Sequence, residues 1–317
     1  MAANDKIRRS WLIVPMSTPE RITSAHQAGP DVIVLDLVEF VAESDKPAAR
    51  EKVAESLSSA KAGGAEVFVQ IEPALMLADL RAAIWPGISG VVVSRAESAD
   101  QITQIEATIT VLEGERGLLP GSVEMVASLE TAPGNHGGFE IATASPRIWG
   151  LTLGRADLIM DLRPEPSGEI HLMQYLMQRL VTIAAAAGKT PIGAWWRHPD
   201  RGLLATPDNT LAAARRGRAI GFKGSFCVLE NQVGPLNEGF TPTYAEVDSA
   251  RSIQQAYTHA TDSGTIAAVS HDGRILTADI ARQYAKVAAL SEAIASQEMF
   301  KDAAVSGRPV PVPWEVA

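Results

Sequence analysis

The chain alternates short apolar segments rich in β-branched residues with longer amphipathic segments. There are eight such apolar segments, at 11–16, 32–38, 67–71, 90–94, 123–130, 148–154, 190–196 and 225–230. Nearly continuous apolar character is typical of parallel strands that are covered on both faces. The alternation with helical segments predicts an α/β fold, a (β/α)8 TIM barrel, which usually takes about 250 residues.

An open doubly wound sheet is the competing architecture. It is disfavoured because no Gly-x-Gly-x-x-Gly follows the first apolar segment, as a dinucleotide site would require. The 317-residue chain is longer than a barrel needs. We therefore assign 1–235 to a barrel catalytic domain and 236–317 to a C-terminal helical extension, a lid that completes the barrel and forms the oligomer interface. Within the extension, AAVSHDGRIL predicts a hairpin with Asp-Gly at its turn.

Composition excludes several function classes. The formal net charge is −9, with 28 Lys and Arg against 37 Asp and Glu, whereas a nucleic-acid surface needs clustered basic residues. The opening MAANDKIRRS lacks the apolar run of a signal peptide, and no segment has the apolar length of a spanning helix. We expect a cytoplasmic protein that acts on a small molecule, with no nucleic-acid or membrane partner.

Acidic and polar residues recur where the apolar segments end, and barrel active sites lie at the C-terminal ends of strands. These residues are Asp36, Glu39, Gln70, Glu72, Ser94, Arg95, Glu97, Glu130 and Asp157. Glu130 and Asp157 follow consecutive segments, so both are expected in one mouth. Two carboxylates completed by water and substrate fit Mg²⁺ or Mn²⁺ better than zinc. Alternatively, such acids cap the next helix or pair with arginine.

Several longer motifs occur in the order and spacing of one enzyme family. RRSWLIVPMSTPERITSA, followed by GPDVIVLDLVEFVAESDKPAAR, resembles the opening of the citrate lyase β-subunit family, which also includes malyl-CoA lyase. The later motifs are ESAD (97–100), LETAPG (129–134), EIATASPR (140–147), LGRADL (153–158) and LNEGFTP (236–242). The resemblance covers nearly the whole chain, which is identified as a divergent member of the family.

The resemblance implies a homotrimer or homohexamer and a Mg²⁺ (or Mn²⁺) ion held by Glu130 and Asp157. Members break or form a carbon–carbon bond by retro-aldol or retro-Claisen chemistry, often on a thioester, so coenzyme A can form part of the substrate. The metal acts as a Lewis acid that stabilises the developing enolate. Our candidate catalytic residues are Asp36, Glu39 and Arg95, and our candidate substrate-binding residues are Gln70, Glu97, Trp195 and Trp196.

The chain departs from the family pattern at the catalytic face. Gln70 stands where the family has an arginine that grips a carboxylate, and a neutral amide cannot give that charge-assisted, bidentate contact. Leu229 replaces a histidine, and Thr277 replaces an aspartate that serves as general acid/base. We therefore expect a Mg²⁺-dependent carbon–carbon lyase whose substrate is not malyl-CoA or citryl-CoA. The alternatives are a metal-dependent acyl or thioester hydrolase and a non-catalytic binding subunit.

Other residues have two interpretations each. Trp195 and Trp196 either wall a hydrophobic substrate or pack ordinarily. His136 is either a base near the metal or a solvated loop residue. Four basic residues near the N-terminus either attract a CoA phosphate or lie on a solvated surface: Arg8, Arg9, Lys46 and Arg50. The single cysteine, Cys227, is interpreted as a small buried hydrophobe.

Overall fold

The computed structural model describes residues 6–154, 158, 169–194, 206–264, 268–270 and 273–308. Eight parallel strands form one sheet, in which each strand pairs with its neighbour in sequence and β8 pairs with β1. The strands are β1 Ser10–Pro15, β2 Val32–Asp36, β3 Glu66–Ile71, β4 Gly90–Val93, β5 Glu124–Ser128, β6 Ile148–Thr152, β7 Thr190–Ile192 and β8 Ser225–Cys227. All eight coincide with the apolar segments of the sequence.

The seam between β7 and β8 is bridged by backbone hydrogen bonds. The Lys223 N–H donates to the Pro191 carbonyl at 3.0 Å, and the Gly193 N–H donates to the Gly224 carbonyl at 2.6 Å. Because β8 also pairs with β1, these bonds close the sheet into a barrel. The predicted (β/α)8 barrel is therefore confirmed.

Helices follow the strands around the barrel. They are α1 Pro19–Ser24, α2 Lys46–Lys61, α3 Met76–Ala83, α4 Ala99–Glu115, α5 Ala132–His136, α6 Gly138–Thr143, α7 Glu169–Ala187, α8 Pro207–Ile220 and α9 Val233–Phe240. Short 3₁₀ turns occupy Ala25–Ala28, Pro73–Leu75 and Glu230–Gln232. Among the described residues, no helix is both long and apolar enough to cross a membrane.

Two apolar layers explain why the strands are apolar throughout. Inside the barrel, Trp11 lies against Phe68, Trp149 and Phe226, with ring centroids 4.9, 5.8 and 5.3 Å away. Outside it, residues of the opposite strand faces, such as Leu12 and Leu35, pack with helix residues in a larger buried cluster. The strands are covered on both faces, so their sequences do not alternate between apolar and polar residues, and hydrophobic burial stabilises the barrel.

The chain divides into two compact units, Met1–Phe240 and Thr241–Ala317. In the second unit, helices α10 Tyr244–Asp262 and α11 Ala278–Ser306 pack together with an antiparallel hairpin of β9 Ala268–Val269 and β10 Ile275–Leu276. The boundary predicted at 235 falls inside α9, which packs on α8 and β1 of the first unit. The roles of barrel and extension as catalytic domain and lid remain a prediction.

Candidate active site

The C-terminal ends of the strands form a polar mouth above the apolar barrel interior. Side chains alternate along each strand, so the face that carries Val34 and Phe68 inside the barrel carries Asp36 and Gln70 at the rim. The paired register places Asp36 beside Gln70 on neighbouring strands. The predicted site residues on β2 and β3 are therefore brought together.

Glu130 is a buried acid at the end of β5 in this mouth, with 3% of its surface exposed. Its Oε1 accepts a 2.5 Å hydrogen bond from the Arg95 backbone N–H, and its Oε2 accepts a 2.7 Å bond from the Ser128 hydroxyl. These donors compensate the burial of a charge and fix the carboxylate at the end of β5.

Gly154 brings the segment after β6 directly against that carboxylate. A Cβ added to Gly154 would lie 1.9 Å from the Glu130 Oε2, so any side chain there would displace the carboxylate or the backbone. Gly154, the second residue of the motif LGRADL, thus lies next to Glu130. Asp157 itself lies outside the described residues, and among those that are described no cluster of three or more metal-binding side chains occurs.

Arg95 adopts a left-handed backbone conformation, with φ of +48°. For a residue with a Cβ this costs about 1–3 kcal/mol, which the surroundings must offset. The turn aims the Arg95 N–H at Glu130 and the Ala96 N–H at the Ser128 carbonyl, 3.0 Å away. The Arg95 side chain is exposed at the rim, where its positive charge acts on the Glu72 carboxyl.

Asp36 organises the loop after β2. Its Oδ1 accepts backbone N–H groups of Val38 and Glu39 at 2.8 and 3.2 Å, and its Oδ2 accepts that of Phe40 at 2.7 Å. Burial raises the pKa of Asp36, while these hydrogen bonds and the charge of Lys46 oppose the rise. In this structure Asp36 shapes the loop, and its assignment as a catalytic residue remains a prediction.

Gln70 links three strand ends. It is 5% exposed, and its Nε2 donates to the Ser94 hydroxyl at 2.9 Å and to the Glu39 Oε1 at 3.4 Å. Glu39 is exposed above it. The amide therefore joins β3 to β4 and to the β2 loop without adding positive charge to the mouth.

Glu72 was expected at the mouth because it follows an apolar segment, but no specific chemical role was assigned to it from the sequence. Its extended backbone, with φ of −96° and ψ of 119°, continues β3, and its N–H donates to Asp79 Oδ2 at 2.9 Å. Burial raises the pKa of the Glu72 carboxyl, against the positive charges of Arg95 and Lys46 and a hydrogen bond from the Ala74 N–H, while Asp79 adds to the rise. Alternate residues of a strand face the same side, so Glu72 is expected on the same face as Phe68 and Gln70.

Glu97 takes no part in the hydrogen bonds described above. Glu97 is exposed after β4, and its N–H donates to the Gln101 side chain at 2.9 Å in the first turn of α4. Trp195 and Trp196 lie outside the described residues. His136 is exposed at the end of α5, where its carbonyl accepts a 3.1 Å bond from Arg179. Within the described mouth, the bonds above join Asp36 to Glu39, Glu39 to Gln70, and Arg95 to Glu130.

The interpretations of the basic N-terminal residues need correction. Arg8 is buried beneath the barrel interior, pairs with Glu66 and Glu124, and lies 4.2 Å above the Trp149 ring centroid. Arg9 is buried against Asp31 at 2.8 Å. Both alternatives, a CoA phosphate site and a solvated surface, are wrong for this pair because their charges are enclosed and matched by carboxylates.

Lys46 and Arg50 also face carboxylates. The Lys46 ammonium lies 2.5 Å from Glu43, and the Arg50 guanidinium lies 2.6 Å from Asp79. To bind a CoA phosphate, Lys46 and Arg50 would have to give up their contacts with Glu43 and Asp79.

Positions that depart from the family pattern have local structural roles. The Thr277 hydroxyl accepts the Ile280 N–H at 3.3 Å and caps α11, while Asp279 pairs with Arg282 at 2.5 Å on the surface. Leu229 is 43% exposed after β8.

Burial raises the pKa of the Cys227 thiol to about 12, which agrees with its interpretation as a buried hydrophobe.

A closed parallel barrel with a buried carboxylate among polar side chains at its C-terminal mouth is the architecture of a (β/α)8-barrel enzyme. The family model for HpcH/HpaI aldolase/citrate lyase matches residues 9–229. The chain belongs to the HpcH/HpaI aldolase/citrate lyase family and is an enzyme of that lyase group. The resemblance inferred from its motifs is confirmed.

Similar proteins cover most of the chain. It is 29% identical to the citrate lyase subunit beta of Haemophilus influenzae over 87% of this chain and 94% of that protein. It is 26% identical to the L-malyl-CoA/beta-methylmalyl-CoA lyase of Rhodobacter capsulatus over 88% and 92% of the two chains. The structure of a citrate lyase beta subunit from M. tuberculosis, complexed with oxaloacetate and magnesium, matches with a TM-score of 0.59 and 26% identity, covering 76% of this chain and all of that one (100%).

Proposed function

We propose that this enzyme is a Mg²⁺-dependent carbon–carbon lyase, with Mn²⁺ as an alternative ion, that cleaves a small β-hydroxy carboxylate or acyl-CoA thioester by retro-aldol or retro-Claisen chemistry. The observation that carries the proposal is the buried Glu130 carboxylate, fixed at the mouth by the Arg95 N–H and the Ser128 hydroxyl. Family membership supports the lyase chemistry. The magnesium and oxaloacetate bound by the M. tuberculosis relative support a metal and a small oxo acid.

Glu130 and Asp157 are the residues that would hold the metal. The two hydrogen bonds orient the Glu130 carboxylate before any ligand arrives, and Gly154, three residues before Asp157 in the sequence, lies against it. When bound, Mg²⁺ supplies a Lewis acid for the oxygen on which negative charge develops as the carbon–carbon bond breaks.

The other mouth residues bind and orient the substrate. The exposed Arg95 guanidinium attracts an anionic group into an otherwise acidic mouth. Gln70 and Ser94 offer an amide and a hydroxyl that are already linked, so they form a rigid polar wall. This wall suits hydroxyl or carbonyl oxygens better than a second carboxylate, because it adds no positive charge.

An apolar part of the substrate is supported by the segments that follow the strands. Phe40 after β2, Leu75 after β3 and Leu229 after β8 have 46%, 36% and 43% of their surface exposed. Apolar side chains near a binding site provide burial for an apolar ligand. We therefore favour a substrate with fewer carboxylates and a bulkier apolar part than malyl-CoA or citryl-CoA.

A cleavage assay tests the proposal. The purified enzyme is incubated with Mg²⁺ or EDTA and with β-hydroxy acids and β-hydroxyacyl-CoA thioesters of graded apolar bulk, and products are followed by NMR. We expect two carbon fragments, one with a new carbonyl group, only when the metal is present, and none from Glu130→Gln. Release of CoA with the acyl carbon chain intact would identify a thioester hydrolase instead. Absence of turnover with every substrate would favour a binding subunit.

A further inference from the structure

A retro-aldol cleavage needs a group that takes the proton of the substrate hydroxyl and later delivers a proton to carbon. Thr277 cannot ionise, and its hydroxyl caps α11. We propose that Glu72, at the end of β3, is this proton-transfer residue. The inference rests on the proposed lyase function and assigns one step of it.

The position of Glu72 follows from the strand register. Ile71 pairs with Val93, and the Ser94 N–H donates to the Ile71 carbonyl at 3.1 Å. Glu72 therefore lies level with the turn at Arg95, whose N–H holds Glu130. Three consecutive strand ends, β3 to β5, thus place a half-buried carboxyl, a guanidinium and the candidate metal carboxylate in sequence around the rim.

The surroundings of Glu72 favour neither its ionised nor its protonated form exclusively. Arg95 from β4 and Lys46 from α2 favour the ionised form, whereas burial and Asp79 from α3, which itself pairs with Arg50, favour the protonated form. Burial is the largest of these influences, and it raises the pKa of Glu72. The Ala74 N–H and the Glu72 N–H bond to Asp79 fix the residue in place.

Other described acids of the mouth are less suited. Both Asp36 oxygens already accept backbone N–H groups. Glu97 and Glu39 are exposed to water. Glu130 is assigned to the metal. Glu72 combines a fixed backbone, partial burial and flanking cations.

The proton balance of the step is complete. Glu72 carboxylate accepts the proton of the β-hydroxyl; the C–O bond becomes a carbonyl, the Cα–Cβ bond breaks, and its electron pair forms the enolate. Protonated Glu72 then donates that proton to the enolate carbon and returns to carboxylate. No oxidant, reductant or second substrate is required.

Hydrogen exchange isolates this step. The Mg²⁺-loaded enzyme is incubated in D₂O with pyruvate or acetyl-CoA, and loss of the methyl proton signal is followed by NMR. Wild type should exchange one of these probes. Glu72→Gln should slow the exchange by about 10²–10⁴-fold, whereas Glu72→Asp should recover part of it. Glu51→Gln, an exposed acid on α2, is the matched control and should exchange as wild type does.

Oxalate titration separates proton transfer from binding. Oxalate resembles the enolate of a small oxo acid, and its Kd should change by less than about threefold in Glu72→Gln, which corresponds to about 0.6 kcal/mol. The acidic limb of the wild-type kcat profile should be missing from Glu72→Gln. Two results would overturn the assignment of Glu72 but not the lyase proposal. One is hydrogen exchange by Glu72→Gln at the wild-type rate, and the other is a loss of oxalate affinity as large as the loss of exchange. A wild type that exchanges neither probe would overturn the lyase proposal together with it.

Discussion

The Arg95 backbone N–H donates a 2.5 Å hydrogen bond to the Glu130 carboxylate, and Arg95 does so from a left-handed conformation with φ of +48°. One residue thus contributes its main chain to the candidate metal ligand and its exposed side chain to the rim. The two contributions can be separated experimentally, because glycine adopts this conformation without strain.

Arg95→Gly should keep the backbone hydrogen bond and the metal affinity but lose the cation. We expect KM for an anionic substrate to rise about tenfold, and the dependence of KM on salt to weaken because long-range attraction is screened. Arg95→Lys, which keeps the charge, is the control. An unchanged KM in the glycine variant would contradict the role assigned to the Arg95 guanidinium.

Much of the fold could be predicted from the sequence because barrel strands are buried on both faces, and this leaves a continuous apolar signature in segments such as 32–38 and 67–71. Glu130 was predictable from its position after such a segment. Its donors were not, because nothing in the chain around Arg95 signals a left-handed turn at a residue with a side chain. Arg8 was misinterpreted because its partners, Glu66 and Glu124, lie 58 and 116 residues away.

Gln70 is expected to set the preference against dicarboxylates. Wild-type turnover of malyl-CoA and citryl-CoA should fall well below about 10 s⁻¹, the median for enzymes. Gln70→Arg should raise kcat/KM for malyl-CoA relative to an apolar substrate, because it adds a bidentate cation. Gln70→Met, of similar size and no charge, is the control and should bring no such gain. Efficient malyl-CoA cleavage by the wild type would refute this prediction.

The Glu113–Arg147 pair is expected to stabilise the barrel in a pH-dependent way. Burial opposes ionisation of Glu113, but hydrogen bonds from Arg147 and from the Val123 and Gly121 N–H groups outweigh it and lower its pKa. A lowered pKa gives stability that is complete above the unfolded-state value of about 4.3 and is lost as pH falls through the folded value.

Glu113→Gln should therefore reduce the free energy of unfolding by about 3–5 kcal/mol at pH 7, since it leaves Arg147 buried without its charge partner. The difference from wild type should shrink as pH drops below about 4. Urea denaturation at several pH values measures it, with the exposed Glu115→Gln as control. A difference that stays constant down to pH 3 would contradict the ion-pair account.

Assembly into a homotrimer or homohexamer stays a prediction of the family resemblance. The second unit exposes apolar side chains, among them Ile275, Met299, Phe300 and Val305, and closed symmetric assemblies commonly cover such surfaces. Light scattering coupled to size-exclusion chromatography at micromolar concentration should give three or six times the 33.7 kDa chain mass. A monomeric mass under those conditions would rule this assembly out.

Calorimetric titration of Mn²⁺ tests the central claim, that Glu130 and Asp157 hold one divalent ion. The wild type should bind one ion per chain, and Glu130→Gln and Asp157→Asn should each weaken binding by at least about tenfold, while circular dichroism shows the fold retained and Glu51→Gln binds as the wild type does. Wild-type Mn²⁺ affinity in both site variants would contradict the account.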